Sequence, residues 1–85
     1  EVDQVLYGVI DINRVKIKGM ETDLAIRKDM IEKGVIYEGK TTSEQITFYN
    51  NLINIYNNLI LDTKKKVDNY NEQINKFNLC LSSNQ

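Results

Sequence analysis

The side chains able to do chemistry here are Cys80, the Lys64-Lys65-Lys66 run, five tyrosines and a scatter of carboxylates, and the chain has no histidine to work with any of them. A thiol becomes a nucleophile only when a base or a nearby positive charge makes it a thiolate. Cys80 has no imidazole to call on, and its nearest lysine in sequence is Lys76. What remains for it is a crosslink between two chains in an oxidising compartment, or simply a small apolar filler near a helix end, which is the simpler reading. A single cysteine without histidine also removes the usual metal-ligand sets and any intrachain disulfide. No catalytic residue, cofactor or metal site is expected, and the chain is read as a protein that is not an enzyme and takes no small-molecule substrate.

The lysine run could join Arg14, Lys16 and Lys18 in a basic belt that holds phosphate or an acidic segment. Eleven basic against twelve acidic residues leave a net charge of −1, so the belt reads more simply as a solvated face, with Asp11, Asp62 and Asp68 beside it. A nucleic-acid partner is not expected. Glu21, Asp23, Asp29 and Glu32 are interleaved with Arg27, Lys28 and Lys33, which is an ordinary charged helix surface. No apolar run is long enough to span a bilayer. The sequence starts at Glu1, as a mature product or an excised piece would, and it carries no signal that assigns a compartment.

The elements that must position these residues are legible in the apolar spacing. From Ile46, alternating steps of three and four reach Tyr49, Ile53, Tyr56, Ile60, Thr63, Val67, Tyr70, Ile74, Phe77 and Leu81, and only Thr63 is polar. This is the seam of a coiled coil on one long helix. Upstream, Leu6, Ile10, Asn13, Ile17, Met20, Leu24, Arg27 and Ile31 repeat the alternation, with Gly8 and Gly19 each costing the helix about 1 kcal/mol. The spacing predicts a helix over 3–33, a turn over 34–41, a helix over 42–80 and a frayed tail at 81–85. Gly34 suits a left-handed C-cap, and Thr41-Thr42-Ser43-Glu44 has the spacing of a capping box.

In an antiparallel hairpin, facing residues have position numbers with a nearly constant sum. Ile31 with Ile46, Leu24 with Ile53, Ile17 with Ile60 and Ile10 with Val67 all add to 77. Arg27 with Tyr49, Met20 with Tyr56, Asn13 with Thr63 and Leu6 with Tyr70 all add to 76. This register predicts a hydrogen bond between Asn13 and Thr63, and Arg27 lying on the Tyr49 ring. Tyr49, Tyr56 and Tyr70 are core rings, whereas Tyr7 and Tyr37 lie off the seam, with Tyr37 the better candidate for exposure.

The fold class expected is an all-α antiparallel two-helix hairpin, a coiled coil completed by oligomerisation or by a partner helix. A swapped dimer satisfies the same register. The second helix overhangs the first, leaving Ile74, Phe77 and Leu81 without a partner. A second row, Val5, Val9, Ile12 and Ile26 with Leu52, Ile55 and Leu59, adds more apolar surface than two helices can bury. These residues are expected to bind another copy or another helical protein.

The segment Tyr37-Glu38-Gly39 between two helices resembles the Trp-x-Gly turn of the small helical hairpins exported by bacterial type VII systems. The resemblance implies a secreted hairpin effector or export substrate, with Tyr37 and Gly39 in a recognition surface. Tyrosine stands in place of tryptophan, and Tyr70 has Ile74 four residues on where that family's tail carries an acidic residue.

Overall fold

The computed structural model describes residues 2–83. Two helices, α1 (Gln4–Lys33) and α2 (Thr42–Ser83), form an antiparallel hairpin in a rod of 66 × 17 × 15 Å. The expected tail is helical as far as Ser83, and its last two residues lie outside the described residues. At 1.5 Å per residue the arms are about 45 and 63 Å long, so α2 projects beyond α1 by about three turns.

Both ends of α1 and the start of α2 are capped. Asp3 caps α1, its side chain accepting a hydrogen bond from the Leu6 N–H at 3.0 Å, and the Asp3 N–H is held across the hairpin by Gln73 Oε1 at 2.8 Å. Gly34 closes α1 in the left-handed region, with its N–H on the Ile31 carbonyl and the Val35 N–H on the Met30 carbonyl. Thr41 and Glu44 form the capping box: Glu44 Oε1 accepts from the Thr41 N–H at 3.0 Å, and Thr41 Oγ1 accepts from the Glu44 N–H at 3.3 Å.

The backbone bond from Thr41, helped by its hydroxyl, holds the Glu44 carboxyl below its usual pKa. A lowered carboxylate pKa stabilises the fold above the unfolded-state value of about 4.3 and loses that contribution as pH falls through the folded-state value. Glu44→Gln keeps an acceptor for the cap but cannot titrate. Its melting temperature is expected to fall less steeply than that of the wild type between pH 5 and pH 3; parallel profiles would remove Glu44 from the acid response.

The cross-helix contacts confirm the register. Tyr7 packs on Tyr70, ring centroids 5.5 Å apart, and the Tyr56 hydroxyl donates to Glu21 Oε2 at 2.6 Å, both pairs with numbers adding to 77. The Glu21 bond, then burial, raises the Tyr56 pKa. The core is thin: only Ile10 and Leu24, at 4% and 7% exposure, are buried apolar residues among those described.

On α2 the seam is rotated from its expected line. Ile46 and Ile60 are 44% and 37% exposed, whereas Gln45 is buried and Leu52 and Leu59 are half-buried. The row facing α1 is Gln45, Tyr49, Leu52, Tyr56, Leu59, Thr63, Lys66, Tyr70 and Gln73, with Ile53, Val67 and Ile74 half-buried alongside. The change is one heptad position, about 50°. Tyr56 favours this azimuth, because its half-buried ring brings the hydroxyl to Glu21 at the rim on the side where Leu52 and Leu59 turn inward.

The expected Asn13–Thr63 hydrogen bond is not formed. Both residues are buried, but the Thr63 hydroxyl has no hydrogen-bond partner among the described residues, so in packing terms it serves as a valine. Replacing an unsatisfied buried hydroxyl by a methyl of the same shape removes a desolvation cost of about 1–3 kcal/mol. Thr63→Val is therefore expected to raise stability by about 1 kcal/mol in urea denaturation. A loss of similar size would mean that the hydroxyl is hydrogen-bonded in solution.

Candidate interaction surface

Two regions stand out from the plain hairpin, the turn and one long side. The turn is built by Tyr37-Glu38-Gly39-Lys40. Glu38 and Gly39 have φ of 52° and 70°, and Tyr37 and Lys40 exchange backbone bonds of 3.4 and 3.0 Å. Positive φ at both central residues is the requirement of a type I′ turn, which glycine meets freely and glutamate meets at a cost. Gln45 ties this turn to α2, its Nε2 donating to the Val35 carbonyl at 2.7 Å and the Lys40 carbonyl at 3.0 Å. Its Oε1 is buried without a hydrogen bond among the described residues.

Arg27 carries the strain at Glu38. Its Nε donates to Asp23 Oδ2 at 2.9 Å and its Nη1 to Glu38 Oε1 at 2.5 Å, while the guanidinium lies 4.4 Å from the Phe48 ring centroid and 5.6 Å from that of Tyr37. Lys40 Nζ lies 4.7 Å from the Phe48 centroid. Burial pulls the Arg27 pKa down, and the bonds to Asp23 and Glu38 outweigh it, so the group stays charged. The expected stacking of Arg27 on Tyr49 is thus corrected to Phe48, which the rotation of α2 places beside α1. Tyr37, expected to be exposed, is half-buried under the guanidinium, and Tyr7 is the more open ring. Phe48 and Gln45 lie one position from the expected seam residues, so only the rotation of α2 could have revealed them.

The second region is the long side that α1 and α2 present together. Ile12, Gly19 and Ile26 line it on α1 and Ile55 on α2, and a shallow groove of about 530 Å³ runs between Lys16, Gly19, Met20, Asp23, Ile55 and Leu59. Val5, Ile12 and Ile55 are strongly exposed and Val9 is half-buried, whereas Leu52 and Leu59 serve both this side and the seam. On the overhang, Phe77 and Leu81 are exposed and Ile74 is half-buried.

The basic residues do not converge. Three consecutive lysines fan over about 200° of helix, and Lys66 is turned back to Asp62 at 2.5 Å. Cys80 is exposed on the overhang. Among the described residues no cluster of histidine, cysteine and carboxylate groups could hold a metal, and no helix is long and apolar enough to cross a membrane. No protein-family model, curated protein or solved structure is significantly similar to this chain.

Proposed function

We propose that this chain is a non-enzymatic coiled-coil module for protein–protein interaction and assembly, which completes its core against further helices, either its own or those of another helical protein. The observation that supports this most is the thinness of the core. Among the described residues two apolar side chains are buried, while Val5, Ile12, Val15, Ile55 and Leu61 are each more than half exposed. A two-helix pair with so little buried apolar surface is marginal in water, because most helix stability in proteins comes from packing. Exposed apolar rows at helical spacing are the form in which one helix is recognised by another.

Light scattering with circular dichroism over a dilution series tests the reading. Helicity is expected to depend on association: either mass above one chain of 9.9 kDa with helicity lost on dilution, or a poorly helical single chain that gains helix on meeting its partner. A fully helical single chain with a cooperative melt independent of concentration would refute it.

A further inference from the structure

We infer that a second copy of this chain docks antiparallel on the long side of the hairpin, about a two-fold axis at Gly19, an inference that rests on the assembly reading above. The pattern along α1 is self-complementary. Moving outward from Gly19, the side carries Lys16 and Asp23, then Ile12 and Ile26, then Val9 and Met30. A two-fold axis that reverses the helix sets residues with numbers adding to 38 or 39 opposite each other. Lys16 of each copy then meets Asp23 of the other, and Ile12 meets Ile26. On α2 the same axis sets Ile55 opposite Leu59. A parallel copy would instead bring Lys16 onto Lys16 and Asp23 onto Asp23, which is repulsive.

The two charges are available for this. Lys16 is exposed and forms no ion pair among the described residues. Asp23 uses Oδ2 for Arg27, and its side chain is 43% exposed. Gly19 fits the same account, since a Cβ there would meet nothing within 4 Å in the hairpin, so the chain's own packing does not call for glycine. Glycine weakens a helix interior, and at the centre of the side it lets two copies of α1 approach closely. Gly19 also stands at the middle of α1 (Gln4–Lys33), so the axis overlaps the two copies of α1 along their whole length. A strip about 45 Å long by 17 Å wide covers about 770 Å² per copy, close to the roughly 800 Å² per partner of a standard interface.

The test is sedimentation equilibrium with Lys16→Asp, Asp23→Lys and Gly19→Tyr. Each charge reversal alone puts like charges together twice and is expected to raise the dimer dissociation constant at least tenfold. An equimolar mixture of the two restores both attractions and is expected to recover the wild-type mass. Gly19→Tyr, whose Cβ meets no neighbour within the hairpin, should lose the dimer and sediment as a single chain at concentrations where the wild type is dimeric. If Asp23→Lys disturbs the turn through Arg27, Lys16→Asp and Gly19→Tyr decide alone. A wild type that is a single chain at every concentration overturns the inference, also where a different protein binds the hairpin. Wild-type association unmoved by Lys16→Asp and Gly19→Tyr overturns it too, and then leaves the assembly reading standing through another face.

Discussion

Leu24→Asp is expected to unfold the hairpin at 25 °C, with loss of the helical circular dichroism signal. Leu24 is one of the two buried apolar residues among those described, and an aspartate there would carry a charge into the seam with no partner placed for it. Truncating a buried leucine alone costs about 2–5 kcal/mol, and the unpaired carboxylate adds to that. The whole stability of a chain of 85 residues is about 4–13 kcal/mol, and a thin core belongs at the low end. Ile60→Asp is the informative control. At 37% exposure its side chain can turn the carboxylate to water, so helicity should be largely retained. Equal damage from both substitutions would place Ile60 on the seam and undo the rotation of α2.

That rotation marks the limit of what the sequence could reveal. The two arms, their antiparallel register, the Gly34 cap and the capping box at Thr41 and Glu44 are all local or periodic features, and each follows from spacing that a sequence displays directly. The azimuth of α2 is different in kind. Ile46, Ile53, Ile60 and Val67 make the more apolar flank of the tyrosines, while Leu52 and Leu59 on the other flank share their row with Gln45, Lys66 and Gln73, one heptad position away. Hydrophobicity alone therefore selects the flank that the structure turns outward. The choice falls to polar satisfaction: Tyr56 reaching Glu21, and Gln45 capping the turn carbonyls, are contacts between residues 35 and 10 or fewer positions apart that no periodic reading weighs. Asn13 and Thr63 show the converse error, because lying in one layer does not align a donor with an acceptor. The long side was legible as an apolar row, but the symmetry of Lys16 and Asp23 about Gly19 becomes meaningful only once the hairpin sets them around one groove.

Arg27→Ala is expected to cost about 2–3 kcal/mol in urea denaturation, more than any other substitution of a charged residue in the chain. The Arg27 side chain is 12% exposed, and its guanidinium joins three segments: Asp23 on its own helix, Glu38 in the turn and the Phe48 ring on α2. Breaking a buried pair by removing one member costs about 3–5 kcal/mol, and the value here is discounted because both carboxylates are nearly half exposed. Arg27→Lys should recover less than half of the loss. An ammonium cannot hold Asp23 and Glu38 from a planar fork while lying flat on an aromatic ring. The turn offers an internal check through Glu38, which occupies the left-handed region at φ 52°. Glu38→Gly removes the ion pair but relieves about 1 kcal/mol of backbone strain, so it should be nearly neutral, whereas Glu38→Ala loses the pair and keeps the strain. In the Arg27→Ala background the glycine variant should then be stabilising, since no pair remains to lose. If instead Glu38→Gly is as damaging as Arg27→Ala, the ion pair itself holds the turn, and the rings contribute little.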